Sequence, residues 1–324
     1  MNLSTIKFNK LLRGGFFLLT ALLLSMPAMA QEEAAESQDN DEERIAKELA
    51  NPNTTLGTFA VPIDFIQYSG TLNGANQQFG VVANFQPSLP IPLSPGLNLF
   101  VRPLIPLVIS QPIYGDGGFE QKGVNLGNIS ADIAIGKTWP SKTITIAGVF
   151  GGFPTATDEQ LRSKFTTMGP EFMVAQIFKW GVAGVMINHA WSLNTLDPVE
   201  ATQMGMHSPL NMGLAMSAGM GSPMLPASMN GERASITAGQ YFYTVNLKNG
   251  WQIQGQPTFA YNHNGAKGSR LTLPVGTGVN KVTRIGKMPI RLSVQYWHYV
   301  AAPEGFGPKG QIRFQIAPVI PLPW

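Results

Sequence analysis

The stretch Gln311-Ile312-Arg313-Phe314-Gln315-Ile316-Ala317-Pro318-Val319-Ile320-Pro321-Leu322-Pro323-Trp324 places apolar side chains at 312, 314, 316, 318, 320, 322 and 324, with Gln311, Arg313 and Gln315 between the first of them. Successive side chains of a strand point to opposite faces, so this is a strand with one greasy and one wet side. An edge strand of a soluble sheet has the same alternation. The rest of the chain has to decide between the two.

Working back from that stretch, the pattern recurs. Ile290, Leu292, Val294 and Tyr296 oppose Arg291, Ser293 and Gln295; Trp251, Ile253, Phe259 and Tyr261 oppose Gln252, Gln254, Gln256 and Thr258; Ile129, Ala131, Ile133 and Ile135 oppose Asn128, Ser130 and Asp132. Helical spacing explains none of these. Turn residues divide the chain into strands expected near 57–68, 77–88, 97–109, 124–138, 142–153, 164–178, 180–193, 234–248, 250–262, 270–284, 288–301 and 310–323. Lys248-Asn249-Gly250 and Gly286-Lys287 read as tight hairpins. An even count of about twelve returns both ends of a barrel to one side of a membrane. The expected fold is therefore all-β, a closed antiparallel transmembrane β-barrel, with a short N-terminal periplasmic helix or tail.

Composition agrees. The chain is 44% hydrophobic and only 13% charged, whereas a soluble domain usually carries about a quarter charged residues. Cysteine is absent, which excludes disulfides and thiolate metal sites. The six tryptophans, Trp139, Trp180, Trp191, Trp251, Trp297 and Trp324, fall near expected strand ends, as an aromatic girdle at two membrane interfaces requires.

Residues 1–30 carry Lys7, Lys10 and Arg13, then the apolar run Phe16 to Leu24, then Ala28-Met29-Ala30. That order is a signal peptide with cleavage expected before Gln31. The run is shorter than the roughly 20 residues a membrane helix needs. These three basic residues supply the whole net charge of +3, so a basic nucleic-acid binder is not indicated. Residues 31–55 form an acidic periplasmic lead. Within it a short helix is expected at Asp41–Ala50, ending before Asn51-Pro52 because proline disfavours helix in the residue before it; a solvated disordered tail is the alternative. Residues 56–324 form the barrel. No cofactor is expected.

Several stretches resemble a family of transport-associated outer-membrane β-barrels of Gram-negative bacteria, often mislabelled "neuromedin U" and related to barrels named for a phenol-degradation pathway. They are Leu97–Pro112 (LNLFVRPLIPLVISQP), Phe153–Asp158 (FPTATD), Met168-Gly169-Pro170, Leu271–Val300 (LTLPVGTGVNKVTRIGKMPIRLSVQYWHYV) and Gln311–Phe314 (QIRF), together with a start at Glu48–Pro52. The resemblance covers most of residues 48–324. It implies a β-barrel in the outer membrane and a role in transport; the expected partners are membrane lipid, a small solute and, because Trp324 ends the apolar row as an aromatic assembly signal does, the barrel-assembly machinery. It brings no agreed substrate and no catalytic residues. The chain departs from it at 194–233, where the family connection is much shorter.

Polar faces turned inward would carry Arg102, Asp132, Arg291 and Arg313 into the lumen. With Arg291 and Arg313 on neighbouring strands, one reading is an anion-favouring wall; the other is that the arginines pair with Asp132 or Glu171 and fill a narrow barrel. Insertion 194–233 holds half of the fourteen methionines, among them Met204, Met206, Met212, Met216 and Met220, beside His207. Loop packing, capture of a hydrophobic solute and soft Cu(I) ligation are the three readings of that cluster. The loop follows the seventh strand and is expected on the extracellular side. The four histidines of the chain, His189, His207, His263 and His298, give no recognisable Ser-His-acid arrangement, so an enzyme is not expected. The expected function is passive passage of a small aromatic or hydrophobic solute; the alternative is a non-conducting structural or ligand-binding barrel that uses the methionine loop. Mass spectrometry of the exported protein should give a mature N-terminus at Gln31.

Overall fold

The computed structural model describes residues 32–115, 117–195, 213–214, 225–226 and 233–323. A helix, α1 (Glu32–Ala50), precedes the strands. Its first part belongs to a unit of its own, Met1–Asp39, whereas Asn40–Trp324 form the second unit.

Among the described residues, twelve strands form the ring of that second unit: β1 (Gly57–Ser69), β2 (Phe79–Ser94), β3 (Leu97–Gly115), β4 (Ser130–Thr138), β5 (Thr143–Gly152), β6 (Thr167–Phe178), β7 (Gly181–Ser192), β8 (Ser235–Asn246), β9 (Trp251–Gly255 with Thr258–Asn262), β10 (Leu271–Ile285), β11 (Met288–Ala301) and β12 (Gly307–Ile320). Each is antiparallel to its sequence neighbours, and β1 pairs with β12 from Gly57↔Ile320 to Ser69↔Gly307, which closes the barrel. Most strand ends lie within three residues of their sequence expectations, but β2 and β3 run six residues further and β4 begins six residues later. The helix is longer than expected, starting nine residues before Asp41.

Closure is a physical necessity in hydrocarbon, where an open edge would leave backbone N–H and C=O groups without partners. One place tests the rule. At Gln256-Pro257 the ladder of β9 is interrupted, since proline has no N–H to give. Two lumenal glutamines repair it: the Gln256 N–H donates to Gln295 Oε1 at 3.2 Å, and Gln240 Nε2 donates to the Gln256 carbonyl at 2.8 Å.

The side chains are sorted inside out relative to a soluble protein. Ile133, Val149, Phe172, Ile187, Val294 and Ile316 are exposed on the outer surface. Asp64, Asn84, Asp132, Glu171, Gln240, Gln295 and Arg313 are buried inside. No described helix is long and apolar enough to cross a membrane; the strands carry the apolar belt.

The two ends differ. At one, strands turn back through Pro95-Gly96, Lys179-Trp180 and Gly286-Lys287, and through Asn249-Gly250, whose φ values of 56° and 69° give the left-handed pair typical of a tight hairpin. The start of β1 and the end of β12 lie at this end too. Connections at the opposite end are longer, at 70–78, 116–129, 153–166, 193–234, 263–270 and 302–306. Short turns and chain ends belong to the periplasmic side of such barrels, and long loops to the outside.

One long loop is folded back onto the mouth. Val108 and Ile113 of β3 pack with Ala156 and Leu161. Asn128 fixes the loop from both ends of its carboxamide, donating to the Leu161 carbonyl at 2.9 Å and accepting from the Ser163 N–H at 3.1 Å. The FPTATD stretch serves this lock: Thr155 Oγ1 accepts from the Ile129 N–H at 2.8 Å, and Thr157 Oγ1 from the Leu126 N–H at 3.1 Å.

Trp139, Trp180, Trp191 and Trp251 are exposed at strand ends, as a girdle requires. Trp297 is not. It shares the parity of Ser293 and Gln295 on β11, so it points inward and is fully buried, and Gly276 opposite it on β10 leaves no Cβ in the way of its indole. Trp324 lies outside the described residues.

A charge on the lipid face at bilayer depth should cost about 2–4 kcal/mol. Val294→Arg, central on β11 and outward, is expected to lower folding stability into liposomes by that amount in a denaturant titration, while Val300→Arg near the strand end should cost much less.

Candidate functional site

The lumen has two unlike walls. Along β3 to β8 its lining is mostly apolar, broken by the buried Arg102, Asp132, Glu171 and Asn188: Phe100, Ala134, Ile144, Ile146, Phe150, Met173, Ala175, Val182, Met186, Ala190 and Phe242 form one packed cluster. The opposite arc, β8 to β12 with β1 and β2, presents glutamine, asparagine and arginine.

On the polar arc, Asp64 and Arg313 face each other directly across the β1–β12 seam. The guanidinium binds the carboxylate through two atoms, Nε to Oδ1 at 2.6 Å and a terminal nitrogen to Oδ2 at 2.8 Å. Such a fork is the strong form of this contact. Gln311 Nε2 donates a further bond to Asp64 Oδ1 at 2.7 Å, and the Tyr299 hydroxyl donates to Gln311 Oε1 at 2.7 Å. The Trp297 ring lies 4.3 Å from the Arg313 guanidinium carbon, a cation–π contact in a site without water-exposed surface.

Where β3 meets β4, Arg102 and Asp132 are register partners. Arg102 Nε donates to Asp132 Oδ2 at 2.8 Å, and a terminal nitrogen reaches Glu171 Oε1 on β6 at 2.6 Å. The intervening strand presents Gly148 opposite Glu171, and there a Cβ would run into Ala134. One guanidinium therefore holds two carboxylates. Glu171 is among the partners the sequence suggests; Asp64 is not, although Ile63 and Phe65 on either side of it mark the alternation.

The structure separates Arg291 from Arg313. Arg313 is register partner to Gln295, four residues along β11 from Arg291, or roughly 13 Å at 3.3 Å per residue. Arg291 lies instead near the periplasmic end, where it donates to the Leu49 carbonyl at 3.3 Å. Of the two readings the sequence leaves open, this register disfavours a wall of two adjacent arginines.

Leu49 belongs to a segment that crosses the periplasmic mouth. Ile45, Ala46 and Leu49 pack on Val282, Gln252 Nε2 donates to the Ala46 carbonyl at 2.9 Å, and Glu42 accepts from Lys281 Nζ at 2.9 Å. Ala50 then meets the apolar wall. Asn53 lands on the far side, donating to the Gly96 carbonyl at 3.0 Å and to Thr138 Oγ1 at 2.8 Å, while Asn98 Nδ2 donates to its carbonyl at 2.9 Å. The other mouth is narrowed by an aromatic stack, with Phe306 4.6 Å from Tyr68 and 4.7 Å from Phe119 between ring centres.

On the outer surface near the extracellular end, hydroxyls link two histidines. Thr237 Oγ1 lies 2.7 Å from His189 Nδ1 and 2.8 Å from His263 Nε2, and Ser235 Oγ lies 3.3 Å from His189 Nε2. Trp191 and Tyr261 flank them. In sequence these histidines look isolated, because His189 and Thr237 are 48 residues apart. Among the described contacts no carboxylate orients the pair, so the chain reads as a polar belt at the interface. Met204, Met206, His207, Met212, Met216 and Met220 lie outside the described residues.

A closed ring of twelve antiparallel strands, apolar outside and polar within, is the fold of an outer-membrane β-barrel. No protein-family model and no curated protein matches the chain. Solved structures do. An outer-membrane channel from Pseudomonas putida F1 superimposes with a TM-score of 0.54 at 13% identity, over 82% of this chain and 96% of that one. The NanC porin gives 0.44 at 9% identity over 82% and 100%, and the CymD monoaromatic hydrocarbon channel 0.39 at 7% over 89% and 93%.

Removing one partner of a buried ion pair typically costs about 3–5 kcal/mol. Asp64→Ala should destabilise the barrel by that amount in a guanidinium titration, and adding Arg313→Met should recover most of the loss. Equal stability of the single and double variants would contradict the pairing energetics.

Proposed function

We propose that this barrel resides in the outer membrane of a Gram-negative cell, delivered there by export and the barrel-assembly machinery, and passes a small solute of aromatic or hydrophobic character. The carrying observation is the apolar wall. Its members on β7 run from Val182 to Ala190, roughly 26 Å along the strand at 3.3 Å per residue, from the level of the periplasmic turns to that of the outer loops. A barrel wet on all sides of its lumen would give a weakly polar solute no such surface. The Pseudomonas putida protein that shares the fold is an outer-membrane channel, in keeping with this reading.

This reading takes the N-terminal segment as the stopper of the periplasmic end and the two guanidinium clamps as the narrowest point that a solute passes. Conduction therefore requires the N-terminal segment to move. Arg102, Asp132 and Arg313 act as the mid-lumen constriction, and Arg291 as the hold on the segment through the Leu49 carbonyl.

A second reading is favoured by the burial of the lumenal side chains: a closed barrel that binds a ligand through residues 194–233. Recordings in planar bilayers separate the two. The intact barrel should show small or infrequent conductance steps, and deletion of residues 32–50 should make them larger and more frequent. If neither form conducts and neither admits solutes in liposome swelling, the channel reading falls. Deletion of residues 200–230 should leave a channel working and abolish a loop-borne binder.

A further inference from the structure

The Arg102 clamp leaves one oxygen of each carboxylate over. Asp132 Oδ1 and Glu171 Oε2 are buried without a hydrogen-bond partner, because the guanidinium engages Oδ2 of the first and Oε1 of the second. Buried carboxylate oxygens are costly unless something meets them. Asn188 on β7 is the register partner of Glu171, so their side chains project from the same face side by side. It is 1% exposed, and both atoms of its carboxamide are also unpartnered, so the oxygen is available whichever way the amide is turned. Ser130 Oγ, two residues from Asp132 on the same face, is a further buried oxygen without a partner.

The surroundings of these oxygens are apolar. Phe150 is the register partner of Asp132. Met173 stands two residues from Glu171 and Met186 two from Asn188, each on the same inward face, and all three belong to the packed apolar cluster. An oxygen-lined spot in which two carboxylates share one guanidinium thus adjoins the hydrophobic wall.

We propose that Asp132, Glu171 and Asn188 form a binding site for the ammonium group of a small apolar amine, with the apolar wall taking its hydrocarbon body. Two carboxylates against one guanidinium can balance only one further positive charge, which selects a monocation over a divalent metal. Three N–H donors of a primary ammonium match three of the spare acceptors, Asp132 Oδ1, Glu171 Oε2 and Asn188 Oδ1. Arg102 is a positioning residue: it fixes one oxygen of each carboxylate and turns the other toward the ligand. The site disfavours carboxylate-bearing solutes, the opposite of what four lumenal charges with three arginines suggest from sequence. As to transport, the inference rests on the channel reading above; as to binding, it does not.

The test is therefore an equilibrium one, on the full-length mature protein in detergent micelles. Thermal unfolding is followed with phenylethylammonium chloride, sodium phenylacetate, or sodium chloride at equal ionic strength. A ligand that binds only the folded state raises the unfolding midpoint with the logarithm of its concentration. Phenylethylammonium should do so, phenylacetate should match the salt control, and Glu171→Gln, which keeps the shape and loses the charge, should abolish the shift. Asn188→Leu, which leaves both carboxylates in place, should weaken it at least tenfold in apparent affinity and serves if Glu171→Gln does not fold. Equal shifts from the two aromatic ions, or a phenylethylammonium shift that survives both substitutions, would overturn the proposal. A barrel that binds the amine and conducts nothing in bilayers would sink the channel reading alone.

Discussion

Everything in this barrel follows from the absence of water around its backbone. In hydrocarbon each N–H and C=O must find a partner within the protein, and a closed ring of strands is one of two ways to provide them. The β1–β12 seam is thus as necessary as any hairpin, and the Asp64–Arg313 fork sits on it, joining the first strand to the last by side chains as well as by backbone. The repair of β9 has the same origin. Pro257 would be a defect in a membrane strand, and Gln240 and Gln295 make it tolerable by donating to and accepting from Gln256.

Ring closure also dictates what the inside must be. Alternation delivers every second residue to a lumen too narrow to be left empty, and this chain fills it in two ways. One arc is packed like an ordinary core. The other is a hydrogen-bonded network around the Asp64–Arg313 fork, and on the packed arc Arg102 likewise has its carboxylates. Ion pairs of this kind add little net stability, because desolvation offsets their attraction. What they supply is definition: a guanidinium that must lie in one plane to satisfy two oxygens fixes the strands on either side of it.

The fold is largely legible in the sequence because it obeys a period of two along almost every strand, and the period is a consequence of the same inside-outside division. Turn chemistry marks the boundaries; Asn249-Gly250 and Gly286-Lys287 lie where they are expected. What cannot be read is anything that depends on two strands remote in sequence. Asp64 meets Arg313 across 249 residues, and Thr237 reaches His189 across the 48 residues that include the long connection between their strands. Trp297 is misplaced by its nearness to a strand end; parity, which puts it inside with Gln295, is the better guide. The separation of Arg291 from Arg313 is a matter of register, and register between strands is set by turns and shear that a linear pattern does not contain.

The segment that crosses the periplasmic mouth is continuous with β1, which is itself hydrogen-bonded on both sides. Only residues 54–56 separate Asn53 from the first residue of that strand. A stopper on so short a leash never diffuses away. Its effective concentration at the opening is set by geometry, in the millimolar range or higher for short tethers, whatever the abundance of the protein in its membrane. On the channel reading proposed above, reclosure is therefore unimolecular, and any stimulus that unseats the segment must act continuously to keep the mouth clear.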